Sequence, residues 1–526
     1  MTKPNWPRAA TIALLLATAA CSSRAERAAD AMAQGVQLNA AGQYVAAAQK
    51  FNEAVKLRDD VPALWIARAR NQVQMNDYGG AFASYRNALD QDRSNREALD
   101  AVAQLSLATN DLERADTYAS QILALDPGDL TAKLMRATVS YRRGRLDEAT
   151  ATVDLALAQD PSNEASRVLK SRILQRRGDS AGALAIIAPV FEAGSGGSDL
   201  RRQLVSIFER EANGRGLLRV AERNARDRPR DAGTQIDFAM QLLLNGRVPQ
   251  AARVLNAVGR FAANDAARDR TVAMLIDADL SVTEVDAMLA TLPTIAPSLA
   301  TAAAQHAIAL GRGDRAVARL APLVAAAPLT AATTDLHAAY ALALAQVGQG
   351  ADAGRRATAI LAVDPAEPRA LAARALAQLA ARDINGALRD ARVVVRDNPG
   401  SPAATALLAQ VYRARRDPAT AAATITGGFN DNPEDSGFLK LYVEQLVAAD
   451  RVEDAIGVAR AFSIRHPASV LTWRLRAQLC TRTRDTACVA RARAIIDRLR
   501  GRGGAMPQTP AEEEVAEREL PLDMGR

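Results

Sequence analysis

Small and apolar side chains return along this chain with a period of 34 residues. In the stretch that begins at Leu130, alanine holds the eighth position (Ala137) and glycine the fifteenth (Gly144). Leucine follows at the seventeenth (Leu146), then alanine at the twentieth and twenty-seventh (Ala149, Ala156), and Pro161 stands at position thirty-two. Pro127, Pro161, Pro229, Pro297, Pro365, Pro399, Pro433 and Pro467 share this phase, separated by 34 or twice 34 residues. Small residues at positions eight and twenty let two helices approach closely. Glycine at fifteen permits a positive-φ turn between them. Proline at thirty-two cannot continue the second helix and ends the unit. The pattern predicts stacked helix–turn–helix units. No strand-like alternation stands out and alanine is abundant, so the chain is expected to be all-α.

The unit resembles the tetratricopeptide repeat. Trp65, Ala69, Tyr78, Ala81, Tyr85 and Ala88 fall at that family's offsets, as do Gly42, Tyr44, Ala47, Phe51 and Ala54 in the preceding unit. Starts near Ala28, Pro62, Arg96, Leu130, Glu164, Ser198, Ala232, Ala266, Leu299, Thr334, Pro368, Pro402, Ser436 and Val470 make about fourteen units. The resemblance implies a superhelix over residues 28–503. Two stretches depart from it. Gly194 to Ser198 is a glycine–serine run followed by Gly214 and Gly216, and between Asp277 and Leu299 the small positions lapse, with Val285 where alanine is expected. Either is repeat decay, or a hinge or change of curvature.

A single core is unlikely to serve 526 residues, whereas a solenoid has no such ceiling. The formal charge is +7, and nearly all basic residues are arginine, which grips carboxylates and phosphates bidentately. That balance suits an anionic partner. A biased genome composition would give the same excess.

The first residues bear on compartment. Lys3 and Arg8 precede an apolar run from Ala9 to Ala20, which is shorter than the roughly 20 residues a membrane-spanning helix needs. Thr18-Ala19-Ala20-Cys21 resembles a bacterial lipobox, with Thr18 where leucine is usual. The resemblance implies a lipoprotein signal over 1–20, lipidation of Cys21 and a tether over 21–27. A plain secretory signal cut near Ala20 is the alternative. By the same resemblance, Ser22 in place of an aspartate implies the periplasmic face of the outer membrane. With export, no nucleic-acid partner is expected.

Cys480 and Cys488 flank the turn of the last unit. In an oxidising compartment they are expected to form a disulfide, the alternative being two buried thiols. His306, His337 and His466 lie in separate units with no metal-ligand spacing, and no nucleophile elbow or phosphate loop is present. No enzyme activity, metal or cofactor is expected.

In the resembled family the first helix of each unit lines a concave groove. Carried onto this chain, that implies groove contacts at Arg70, Tyr141, Arg172, Arg202, Met240, Arg369, Arg413, Lys440 and Arg474. The lysine–asparagine carboxylate clamp of some members is absent from consecutive first helices. Residues 504–526 are expected to be a flexible acidic tail, solvated or docked on arginines in cis or on another subunit. The functional expectation is a non-catalytic scaffold in the bacterial envelope. It would hold protein partners of a system that assembles or exports surface proteins or exopolysaccharide. The alternative is a periplasmic binder of acidic polysaccharide or peptidoglycan along the groove. Few aromatics speak against sugar stacking.

Overall fold

A computed structural model describes residues 23–503. Twenty-eight helices, from Arg24–Ala40 to Thr486–Leu499, follow one another in helix–turn–helix pairs, and the described residues contain no strand. The expected unit starts coincide with observed first helices from Pro62 through Ala232, and again from Thr334 through Val470. Three starts differ. The first helix begins at Arg24, ahead of Ala28, because Ser23 and Glu26 form a capping box, so part of the expected tether is helical. The other two, Asp265 and Pro297, bracket the stretch where the small positions lapse. There Pro297 opens a helix instead of closing a unit. Cys21 and the residues after 503 lie outside the described residues, as do the expected signal segment and tail.

Local chemistry explains the regularity. Asn95, Asp129 and Asn163 cap first helices, and Asp77, Asp111 and Asp179 cap second helices. Each side chain accepts a backbone N–H that the first turn would otherwise leave without a partner. The turn inside every pair contains one residue with positive φ. Glycine fills that slot at Gly42, Gly144, Gly178, Gly246, Gly311 and Gly348. Asn76, Asn110, Ala212, Asp279, Arg382, Arg416, Asp450 and Arg484 fill it elsewhere. The left-handed turn is thus a property of the repeat, imposed even where a side chain opposes it. Helices of a pair cross at fully buried alanines such as Ala69 with Ala81 and Ala137 with Ala149. Phe51, Leu99, Ile122 and Ile187 are among the largest fully buried side chains.

The chain divides into two compact units, 1–203 and 204–526. In the N-terminal unit, helices pack on neighbours in sequence. First helices also touch one another, as Arg96–Ala108 does Leu130–Arg142 and Leu130–Arg142 does Glu164–Arg176, so they form the inner wall. The C-terminal unit repeats this pairing and then returns on itself. Its last helix, Thr486–Leu499, packs on Gly214–Asp227, and Val470–Arg482 packs on Asp265–Asp277.

Candidate interaction surfaces

In the N-terminal unit the inner wall is polar. Arg70 is exposed and forms a two-pronged pair with Glu97 on the next first helix, Nε to Oε1 at 2.6 Å and Nη2 to Oε2 at 2.5 Å. Tyr141 is buried. Its carbonyl accepts Arg176 Nη1 at 2.6 Å, and the Arg176 guanidinium lies 5.3 Å from its ring centroid. Arg142 makes the same reach one repeat earlier, to the Leu107 carbonyl. Both arginines therefore satisfy the carbonyl end of the preceding first helix, where positive charge is favoured. The sequence reading passed over this pair, although Arg142 and Arg176 stand 34 residues apart.

Arg172 is half-buried beside Arg142, whose guanidinium is lowered in pKa by burial and then by Arg172. Neighbouring cations on the same helices behave differently. Lys170 pairs with Asp154, Arg177 with Asp147, and Arg136 and Arg143 with Asp116. The cations turned toward these aspartates are neutralised, whereas Arg142 and Arg176 reach carbonyl oxygens and pair with no carboxylate among the described residues. Arg202 pairs within its own helix with Asp199.

The C-terminal unit uses its expected groove residues internally. Arg369 binds Asp269 at 2.6 Å and Asp335 at 2.5 Å, and Asp335 also takes Arg268 at 2.7 Å. Burial works against the Arg369 charge, but Asp335 and Asp269 outweigh it and raise its pKa. Arg474 pairs with Asp279, and Ser436 donates to Asp277. Burial pushes both of these aspartates up, with Ser436 pulling Asp277 back and Arg474 pulling Asp279 back. Lys440 is half-buried and near enough to Asp279 to act on it. Met240 is packed against the unit's core. Arg413 alone of this set is exposed without a partner among the described residues.

Arg369 and Arg474, expected to line a groove, are thus ion-paired within the unit. The repeat that departs from the pattern supplies their acids, and its Ile276 joins the core formed by Leu439, Phe462 and Leu475. Its second helix, Val282–Ala290, has only 9 residues. At the lapse, this repeat packs against later ones as well as its neighbours. The same holds for the glycines ahead of it. A Cβ on Gly214 would lie 2.0 Å from the Leu499 carbonyl oxygen, and one on Gly216 would lie 2.6 Å from the Phe208 ring. They mark close approach.

Cys480 and Cys488 are joined, Sγ to Sγ 2.03 Å, across the turn between the last two helices. Asp485 caps the Cys488 amide at 2.9 Å. The three residues are grouped closely enough to suggest a metal site, but joined sulfurs offer no thiolate. A cleft of about 520 Å³ is lined by Val324, Pro328, His337, Tyr340 and Arg356. His337 is committed there to the Ala327 carbonyl at 2.9 Å, and Arg356 lies over Tyr340. His466 pairs with Glu434 at 2.6 Å. His306 is fully buried with no side chain bonded to either ring nitrogen. None of the three histidines is placed beside a nucleophile.

Residues 106–173 match the family described as Tetratricopeptide repeat. No curated protein matches the chain. Among solved structures, MamA from Desulfovibrio magneticus RS-1 is 15% identical, covering 32% of this chain and 96% of its own, with a TM-score of 0.30. TTC0263 from Thermus thermophilus is 22% identical, covering 34% and 98%, with a TM-score of 0.28. PilF from Pseudomonas aeruginosa is 13% identical, covering 41% and 97%, with a TM-score of 0.32.

Proposed function

We propose that this chain, a tetratricopeptide-repeat protein, is a non-catalytic scaffold that holds protein partners along the first-helix wall of its N-terminal unit. The reading adds a lipid anchor at Cys21 in a bacterial envelope and service to assembly or export of surface proteins or exopolysaccharide.

The observation that carries it is the difference between the two inner walls. In the C-terminal unit, Arg369 and Arg474 are saturated by Asp269, Asp335 and Asp279. Among the described residues of the N-terminal unit, helices pack on neighbours in sequence, and Arg172 has no carboxylate partner. A wall of side-chain donors on rigid helices suits capture of a peptide segment, since little ordering is needed on the receptor side. The envelope assignment draws on the sequence alone. Lys3, Arg8, the run Ala9 to Ala20 and Cys21 support it. Among the described residues no helix is long and apolar enough to cross a membrane.

Two measurements test the two parts separately. A photo-cross-linker at position 172 in the native host should trap discrete proteins, and one at position 474 should not. Retention on acidic glycan with a steep salt dependence, and no protein adduct, would favour the polysaccharide binder. Intact mass and membrane fractionation of the native protein beside Cys21→Ala test the anchor. An unacylated, soluble wild-type protein would remove it.

A further inference from the structure

Helix pairs cross at the eighth and twentieth positions of the unit, where Ala103 with Ala115, Ala239 with Ala251 and Ala375 with Ala387 are fully buried. The last pair, Val470–Arg482 and Thr486–Leu499, departs from this rule. Its same two positions hold Ala477 and Val489, and both are only half-buried. Valine adds two carbons where two alanines would touch, so it holds the helices further apart at that point. Among the described residues no helix follows Leu499 to cover the pair from its far side. The Cys480–Cys488 disulfide takes the place of the missing crossing. Cys480 follows Ala477 by one helical turn, and Cys488 directly precedes Val489.

Both helices of this pair close the C-terminal unit, and each makes a different contact. Val470–Arg482 packs on Asp265–Asp277 and pairs Arg474 with Asp279. Thr486–Leu499 packs on Gly214–Asp227. There Arg498 Nη2 lies 2.9 Å from the Glu211 carbonyl, and the Leu499 carbonyl presses on Gly214. The disulfide lies between the two contacts and fixes one helix on the other.

We propose that the Cys480–Cys488 disulfide is a redox latch on this closure, opened by a dithiol reductant. Cys480 is buried at 2% exposure, whereas Cys488 is half-buried and is the sulfur a reductant reaches first. One thiolate of the reductant attacks Cys488 Sγ. A mixed disulfide forms there, the bond to Cys480 breaks, and Cys480 leaves as a thiolate that takes up a proton. The second thiol of the reductant then attacks its own sulfur in the mixed disulfide and releases Cys488. Two electrons and two protons pass to the protein, and the reductant leaves as its disulfide. The freed pair keeps neither the crossing nor the cross-link, so it opens locally at far lower cost than the pairs before it. Opening withdraws Arg474 from Asp279 and Arg498 from Glu211, and it uncovers Asp279 and Ile276. In an oxidising compartment the latch is shut. The inference does not rest on the scaffold reading, because it concerns closure of the other unit.

The test is amide hydrogen exchange of the full chain, oxidised, reduced with dithiothreitol, and reoxidised. Peptide mapping after alkylation follows the state of Cys480 and Cys488. Reduction should raise exchange at least tenfold in Thr486–Leu499 and in Gly214–Asp227 together, and reoxidation should reverse it. The helix Leu130–Arg142 should keep its protection throughout. Cys480→Ser with Cys488→Ser should match the reduced protein whether or not dithiothreitol is present. Reversible reduction of the unsubstituted chain gives the same answer should that variant not fold. A rise confined to Thr486–Leu499 would overturn the proposal, since the bond would then be a local staple. So would unchanged exchange on reduction, loss of protection in Leu130–Arg142 as well, or two free thiols at 480 and 488 before reductant is added.

Discussion

Arg498 donates two hydrogen bonds to the backbone carbonyl of Glu211, from Nε at 3.2 Å and from Nη2 at 2.9 Å, across 287 residues of sequence. Glu211 follows the end of the helix Ser198–Arg210, so its carbonyl is one that the helix leaves without an internal partner. The contact joins the last helix of the C-terminal unit to the turn before Gly214–Asp227. It converts an open stack, in which each repeat leans only on its neighbours, into a closed one. Charge-assisted hydrogen bonds of this kind contribute roughly 1.5–3 kcal/mol. Arg498→Ala is expected to lower the unit's stability by about that much, and Arg498→Lys to recover only part, since an ammonium lacks the fork. Hydrogen exchange should then rise together in Gly214–Asp227 and Thr486–Leu499. A rise confined to the last helix would mean that closure is not cooperative.

Two glycines of the C-terminal unit should respond with opposite sign to the same substitution. Gly214 has the Leu499 carbonyl oxygen 2.0 Å from where a Cβ would sit, and that obstacle is backbone. Gly214→Ala must shift one helix off the other and is expected to cost about 1–3 kcal/mol. Gly457 lies inside the helix Val452–Arg465 with nothing within 4 Å of a Cβ. Gly457→Ala should stabilise by roughly 0.5–1 kcal/mol. Thermal melts of the two variants beside wild type decide the matter. Two variants that move together would refute close approach as the reason for Gly214.

The repeat itself was legible because its cause is local. Buried alanine at the helix crossings, a capping aspartate or asparagine, a left-handed turn residue and a closing proline all act within one 34-residue unit. Most unit starts could therefore be placed to the residue, and the misplaced ones lie at the first helix and around Asp265 and Pro297. Closure of the C-terminal unit has no such local cause. It depends on small rotations accumulated over many repeats, and the pairs it creates, such as Asp269 with Arg369, are 100 residues apart. Spacing within a unit cannot reveal that Arg369 and Arg474 meet acids instead of a partner. One signal was present. Asp269, Asp277 and Asp279 crowd the repeat whose small positions lapse, and a repeat freed from the usual packing pattern is one that packs on something else.

The left-handed turn slot offers a further check. Arg416 sits there with φ of 66°, exposed. A left-handed backbone costs a side-chain-bearing residue roughly 1–2 kcal/mol. Glycine removes that strain but loses more entropy on folding. Arg416→Gly should therefore stabilise by about 0.5 kcal/mol. Gly144→Ala, at the equivalent slot with φ of 77°, should destabilise by about 1 kcal/mol. Urea titrations read both, and a neutral Gly144→Ala would show that the turn relaxes out of the left-handed region.

His306 makes the stability of the C-terminal unit depend on pH. It is fully buried, with no side chain bonded to either ring nitrogen. Burial pushes its pKa down from 6.5 to about 4, the Leu280 backbone opposes this, and Arg319 and Lys440 add to the fall. The folded unit therefore holds a neutral imidazole, while the unfolded chain takes up a proton below about pH 6.5. Its contribution is intact above that pH and is lost as pH falls from about 6.5 to about 4. Asp277 and Asp279, whose pKa values burial raises, favour the folded state over part of the same range, so the wild-type curve alone is ambiguous. The difference from His306→Leu is not. Leucine keeps the apolar contacts and cannot titrate. The variant should gain on wild type steadily between pH 6.5 and 4, by up to about 3 kcal/mol. Melting temperatures of both proteins from pH 4 to 8 measure it, and a constant offset across that range would mean that the buried ring is charged in the fold or never protonated out of it.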